Sequence, residues 1–466
     1  MRLSVTAFRS IRRLVLAAAC AALAPAAAAQ DLVRSETLTL EDGRRLAAQA
    51  AIAGDFLLAR QLAEALLDAD PRDRDALVIL AAVLPRLGEA TLGRQAGVAA
   101  YRYSATDRDR YEAARLTARA AFDEGRPGLA QLWLRRAALV APDAAARDQT
   151  RADYAQVRAR NPWQSAVKLG FGPSDNLNGG SESALNVIDG LPFVGVLSGD
   201  AQALSGWEAT ADLRLSYALA ASATGRTVLG ARLYLRRVAL SDAARETAPE
   251  AENADFGSTA VEIDLARDWI WGEGQGTIEA TLGRTWFGGE ADTDFARLSL
   301  SRAAPLGERL SYRAGLTVER QWDAATGTPG NDIATLDGAL TYKLASGARL
   351  TGSLALTGIT SDSPNERSDA ARAQLGWTAA EPIGPIALSA SLGVGWAHYP
   401  DYTVIFPVPG GREDRQVYGS LSATLLSVDY GGFSPVFTLS ATDTDSNVSR
   451  FERSELGLSV SLRSTF

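Results

Sequence analysis

"LSYRAGLTVERQW", residues 310–322, alternates with a period of two. Leu310, Tyr312, Ala314, Leu316, Val318, Arg320 and Trp322 share one parity; Ser311, Arg313, Gly315, Thr317, Glu319 and Gln321 share the other. Successive side chains of a strand point to opposite faces, so this segment carries one mainly apolar face and one polar face. The same division sets Ile386, Leu388, Leu392, Val394 and Trp396 against Ser389, Ser391, Gly393 and Gly395, and Leu456, Leu458, Val460 and Leu462 against Glu455, Gly457, Ser459 and Ser461.

A soluble sandwich also alternates, so number, spacing and aromatic placement must decide. Segments of this kind begin near residues 163, 207, 227, 257, 276, 295, 309, 333, 348, 369, 385, 415, 433 and 452. That makes fourteen, an even count as a bacterial single-chain membrane barrel requires. Short connections, "ASGAR" (345–349), "EPIGP" (381–385) and "DYGG" (429–432), alternate with long ones near 172–206, 241–255 and 400–414. Trp163, Trp207, Trp269, Trp286, Trp322, Trp377 and Trp396 all have the parity of their strand's apolar set and lie at or near a strand end. Such rings form two girdles at membrane interfaces, whereas a sandwich would more often place them mid-core. Lipid offers backbone groups no hydrogen bonds, so such a sheet has to close. Leu458, Val460, Leu462 and the terminal Phe466 resemble the signal by which outer-membrane barrels are recognised by their assembly machinery.

Upstream the grammar changes. Seven glycines lie in residues 31–160 and thirty-five in 161–466, and one of nine tryptophans precedes residue 161. The boundary falls at "ARNPW", residues 159–163, where a proline closes one pattern and a tryptophan opens the next. Before it, "LARQLAEALLDADP" and "LAQLWLRRAALVAPD" place apolar residues three and four apart, as amphipathic helices do. Ala47, Ala59 and Pro71 recur with the mutual spacing of Ala118, Ala130 and Pro142, and Gly54, Gly88 and Gly125 stand 34 and 37 residues apart. A period near 34 with small residues at fixed helix positions resembles the tetratricopeptide repeat. About three repeats fit, with Pro85 interrupting the middle one.

Residues 1–30 have the layout of a secretory signal peptide: Arg2, Arg9, Arg12 and Arg13, then apolar "LVLAAACAALAP", then "AAAAQ". Cys20 lies within it, and Ala17 three positions earlier speaks against lipidation there. The expected units are thus a signal peptide at 1–30, a tetratricopeptide-like helical domain at 31–160 and a fourteen-stranded antiparallel transmembrane β-barrel at 161–466. An exported chain lacking Cys20 has no thiol for disulfides or metals. Setting aside the four signal arginines takes the formal charge from -8 to -12, the wrong sign for a nucleic-acid partner.

The barrel's polar parity mixes signs through Asp212, Arg214, Arg232, Arg236, Glu262, Asp264, Glu279, Arg297, Arg313, Glu319, Asp337, Lys343 and Arg372, then turns to Ser, Thr, Gly and Ala. The single histidine, His398, shares parity with Trp396, so no histidine-based hydrolase is expected, and no cofactor either. The acids of "SDSPNERSD" and Asp443 and Asp445 match no full calcium loop.

Three stretches carry a family resemblance. "DNLNGGS" (175–181), "LPFVGVLSGDAQALSGW" (191–207) and "GFSPVFTLSATDTDSNVSRFERSELGLSVSLRSTF" (432–466), in this order behind a short repeat array, resemble the surface lipoprotein assembly modulator (Slam) family of type XI secretion outer-membrane proteins. The resemblance implies an outer-membrane protein with its helical domain in the periplasm. It implies a client surface lipoprotein or related secreted protein as partner, with periplasmic chaperones, the barrel assembly machinery and membrane lipid. The protein would act as a monomer. Polysaccharide export by a repeat-plus-barrel secretin, and a diffusion porin with an accessory domain, are the competing readings. Barrel closure sets the first strand beside the last, so Asp175, Asn176, Asn178 and Ser181 should meet Asp445, Ser446 and Asn447 at the seam's outer mouth.

Overall fold

The computed structural model describes residues 39–192, 194–428 and 433–464. The signal-peptide reading of 1–30 and the terminal Phe466 fall outside them.

Seven helices come first: α1 (Leu40–Ala53), α2 (Phe56–Ala69), α3 (Arg74–Val83), α4 (Ala90–Tyr103), α5 (Asp107–Asp123), α6 (Pro127–Leu139) and α7 (Ala144–Arg160). Side-chain oxygens of Thr39, Asp55, Asp73, Thr106 and Asp143 accept first-turn N–H groups and start five of them. Gly54, Gly88 and Gly125 have φ of 83°, 82° and 80°. This left-handed conformation suits glycine and turns the chain inside each helix pair. Seven residues before each glycine stand Ala47, Ala81 and Ala118, and five after stand Ala59, Gly93 and Ala130, all buried. Small residues here let paired helices touch, which is the tetratricopeptide-like arrangement. Arg44 to Asp73 at 2.8 Å, Arg94 to Glu124 at 2.5 Å and Arg115 to Asp153 at 2.7 Å tie each pair to its successor.

The middle repeat corrects the sequence reading. Pro85 does not interrupt it; the proline sits in a single 3₁₀ turn, Leu84–Leu87, that delivers the chain to Gly88. In exchange Gly93 must lack a side chain, because a Cβ there would lie 2.6 Å from the Pro85 ring. Overpacking of about 1–3 kcal/mol outweighs the ~1 kcal/mol that alanine gains as a helix former. Gly93→Ala therefore lowers the melting temperature of the helical signal at 222 nm in the full chain, and leaves the barrel's gel mobility unchanged.

Fourteen antiparallel strands then form a closed barrel: β1 (Trp163–Ser174), β2 (Gly206–Ser222), β3 (Gly225–Leu240), β4 (Ser258–Trp271), β5 (Gly274–Phe287), β6 (Glu290–Pro305), β7 (Leu310–Asp323), β8 (Pro329–Lys343), β9 (Arg349–Thr360), β10 (Ser368–Thr378), β11 (Ile386–Tyr399), β12 (Arg412–Leu425), β13 (Phe433–Ser446) and β14 (Arg453–Ser464). Each strand pairs with its sequence neighbours, and β1 meets β14. One rim adjoins the helices; the other carries the long loops, together with the two-residue turn at Gly288 and Gly289. The first long loop holds a small hairpin, Leu185–Val187 with Val194–Val196.

The outside is apolar between the rims: Ile263, Leu282, Leu298, Leu316, Leu354, Leu392 and Leu439 are all exposed. Trp163, Trp269 and Trp377 stand at the strand ends of the helix-side rim, and Trp207, Trp286, Trp322 and Trp396 at those of the loop rim. Outward ion pairs Arg284–Asp294 at 2.5 Å and Arg320–Asp332 at 2.7 Å lie level with the upper ring, and the Arg302 guanidinium sits 4.1 Å from the Trp271 ring at the lower one. An apolar belt between aromatic and charged rings is the exterior of a membrane-spanning barrel.

Candidate functional site

Inside, the expected mixture of signs resolves into ion pairs. The Arg232 guanidinium spans Asp212 at 2.8 Å and Glu262 at 3.3 Å, Arg214 meets Asp264 at 2.9 Å, and Arg297 meets Glu319 at 2.6 Å. Arg236 pairs with Glu208 and also donates to the carbonyls of Leu177 and Phe256, both at 2.7 Å, so one inward arginine anchors two long loops. Paired charges cancel at a distance, so this half of the lumen has no single-sign field to select ions. The opposite half is a hydroxyl wall, with Ser391–Ser420 and Ser422–Thr438 each at 2.9 Å.

The residues singled out near the seam divide into two sets. Asp175 and Ser181 cross it: the Asp175 carboxylate accepts the Leu456 N–H at 3.0 Å, and the Ser181 hydroxyl donates to the Ser449 carbonyl at 3.0 Å. Asn176 and Asn178 do not reach across it with their side chains. The Asn176 amide closes a ring with Gly180, at 2.8 and 2.9 Å. The Asn178 amide donates to the carbonyls of Asp200 and Gln202 at 2.7 Å and accepts from Leu204 N–H at 2.9 Å, fastening the two legs of its own loop. Ser446 and Asn447 turn their side chains the other way, to Asp414 at 2.7 Å and to Gly411 and Glu413 at 2.8 Å. Of these two residues, the Asn447 carbonyl crosses the seam, accepting from Asp189 N–H at 3.0 Å. Asp445 stands opposite Arg415 in the sheet.

Ser449 is a further clasp that the sequence reading missed. Its hydroxyl donates to the Leu185 carbonyl at 3.0 Å and accepts the Val187 N–H at 2.7 Å, holding the small hairpin to the last loop. Ser449→Ala leaves both groups without that partner, at about 1–3 kcal/mol. Amide exchange at Val187 should quicken by at least about tenfold, while exchange in the barrel strands stays as it was. Beside this clasp the Glu452 carboxyl is pushed above the usual carboxylate range, first by burial and then by Asp445, Asp189 and Glu182.

Below the clasp the seam is thin. β1 and β14 pair at Gly170↔Ser461, Phe171↔Val460 and Ser174↔Gly457, whereas each other pair of adjacent strands is matched at ten or more positions. Along the seam, its unjoined part included, lies a cavity of ≈ 1470 Å³, bounded by β1, by Leu456–Ser459 and Ser461–Arg463 of β14, by Glu208, Asp212 and Tyr234 inside the barrel, and by Gln131, Arg135 and Tyr154 of the helices. The helices are fixed against it. Asn161 accepts the Trp163 N–H at 3.0 Å and donates to Gln131 at 2.9 Å, and the Arg135 guanidinium lies 4.8 Å from the Phe433 ring of β13. A hint was present in "GFGPS", residues 170–174: proline lacks a ladder donor and is tolerated at a sheet edge.

Among the described residues no group of three or more His, Cys, Asp or Glu side chains is placed to hold a metal. His398 lies at the loop rim with its ring 6.0 Å from that of Trp396, and its Nε2 is 3.0 Å from the Gly410 carbonyl.

No protein-family model and no curated protein matches the chain. A bacterial polysaccharide outer-membrane secretin is similar at 9% identity, over 64% of this chain and 98% of its own, with a TM-score of 0.33. The Acinetobacter baumannii protein OccAB3 is similar at 8% identity, over 64% of this chain and 98% of its own, with a TM-score of 0.34. The Type III secretion translocator chaperone SycD of Yersinia enterocolitica is similar at 17% identity, over 26% of this chain and 85% of its own, with a TM-score of 0.24.

Proposed function

We propose that this protein is an outer-membrane translocator of the Slam kind, passing a surface lipoprotein or related secreted protein from the periplasm to the cell surface. The observation that carries the reading is the position of the helical array. It is seated by Arg135 on Phe433 at the thinnest seam of the barrel, where one cavity is bounded by helices and wall alike. A diffusion pore has no use for a helical array there, whereas a carrier of polypeptide does. In this reading the array holds the client or its chaperone on the periplasmic side.

The test is protease shaving of intact cells that co-express this protein with a candidate client lipoprotein. The lipoprotein is degraded in the parent strain and protected in a deletion strain; equal degradation in both ends the proposal. Replacing Asp175, Asn176 and Asn178 together with alanine loosens the clasp and the loop behind it, so display falls while the heat-dependent gel shift of the folded barrel persists. The hydroxyl wall of Ser391, Ser420, Ser422 and Thr438 favours a second reading, export of a hydroxyl-rich polysaccharide. Loss of a surface glycan from the deletion strain, with lipoprotein display intact, would select it.

A further inference from the structure

β1 is held along its whole length by β2, from Trp163↔Tyr217 to Ser174↔Gly206. Its other edge is used only from Gly170 upward, and among the described residues no pair joins Trp163–Leu169 to β14. β14 meanwhile follows β13 as far as Phe433↔Ser464. Among the described residues Val167, Lys168 and Leu169 stand in register with Ser464, Arg463 and Leu462 without pairing to them, so over these positions the wall is divided and β1 presents backbone donors and acceptors to the cavity beside it.

The residues that would close the gap explain why it stays open. Continuing the Gly170↔Ser461 register sets Leu169 opposite Leu462 and Lys168 opposite Arg463. Lys168 and Arg463 both line the cavity and share the inward parity of their strands, so zipping the seam would oppose two positive charges. Like charges directly across a ladder are destabilising. A free edge in a sheet invites an added strand.

We infer that the lower edge of β1 is a docking site for an extended polypeptide, which joins the wall by backbone hydrogen bonds between β1 and β14. The site also dictates the character of that strand. One set of side chains lies beside Val167, Leu169 and Leu462 and has to be apolar; the alternate set lies between Lys168 and Arg463 and has to be acidic or polar. The inference rests on the reading that this protein handles a polypeptide, and it assigns that polypeptide's conformation and its place of contact.

The test uses the full chain in detergent with a benzophenone amino acid at position 164 in place of Gln164. The probe is a biotinylated nine-residue peptide alternating valine with glutamate. Controls are the same peptide with proline at its central positions, which cannot extend a ladder, and the benzophenone at Gln374 on β10, a strand paired on both sides. The adduct at position 164 should exceed both controls by about tenfold. Lys168→Glu, which gives Arg463 an opposite charge and lets the seam close, should cut it by about fivefold while the heat-dependent gel shift persists. Equal labelling in either control, no adduct at all, or an adduct undiminished by Lys168→Glu overturns the inference. An adduct in a protein whose deletion leaves lipoprotein display unchanged would retire the export reading alone. Display that depends on the protein, without an adduct, would retire the docking edge alone.

Discussion

Gly172→Ala leaves the barrel unclosed, so the variant migrates on a gel at the position of the unfolded chain whether or not it has been heated. A Cβ at this position would stand 1.8 Å from the Leu458 carbonyl oxygen, 2.8 Å from its carbon and 2.9 Å from Ser459 Cα. All three are backbone atoms of β14, so no side-chain rotation relieves the clash, and the strand itself has to move away. Elsewhere in the sheet ten or more matched positions would absorb such a displacement. Here Phe171↔Val460 and Ser174↔Gly457 flank the clash and only Gly170↔Ser461 lies beyond it. Losing three rungs in lipid costs several kcal/mol for each backbone group left unsatisfied, comparable with the whole stability of a domain. Gly352→Ala in β9 is the control: a Cβ there meets nothing within 4 Å, and that variant keeps its heat-dependent shift. A Gly172→Ala protein that shifts as the parent does would show that β14 is held by something other than these rungs.

Much of this architecture was legible because it obeys short-range rules. Alternation and turn spacing set strand starts at 309 and 385 against observed starts of Leu310 and Ile386, and parity put the tryptophans on the outer face. Left-handed glycines and buried alanines marked the helix pairs, whereas the need for a bare Gly93 comes from contact with the Pro85 ring, which no periodicity states. The seam was harder. The residues that meet there, Gly170 and Ser461 or Ser181 and Ser449, lie more than 260 positions apart, and no local pattern states how far a ladder runs. The Asx-rich loop misled for a definable reason. An asparagine amide both donates and accepts, so Asn176 and Asn178 are satisfied by their own loop, whereas the acceptor-only carboxylate of Asp175 is left to receive the Leu456 N–H across the gap.

Arg412→Met loosens the loop rim without opening the wall. The guanidinium lies among three rings, 4.2 Å from Tyr399, 5.3 Å from Tyr402 and 3.2 Å from Phe451, and its Nε donates to Asp414 at 2.9 Å. Arginine and aspartate side chains are only 11% and 12% exposed. Around them Tyr402, Val408, Val448 and Ile188 form a buried cluster contributed by three different loops. Methionine refills much of the volume but leaves the Asp414 carboxylate buried with the Ser446 hydroxyl as its remaining partner. Breaking a buried pair from one side costs about 3–5 kcal/mol. The bonds of Ser449 to Leu185 and Val187, of Ser181 to Ser449 and of Asp189 to Asn447 remain, so the last loop loosens around the broken pair without parting from the first. Trypsin then cuts after the exposed Arg450 in the variant well before it does in the parent, while the heat-dependent gel shift is retained, because the strands below do not depend on Arg412. Adding Asp414→Leu removes the stranded charge and should recover part of the protection. A double variant cut as fast as Arg412→Met would mean that the cation's contact with the three rings, and not its pairing with Asp414, holds the loops together.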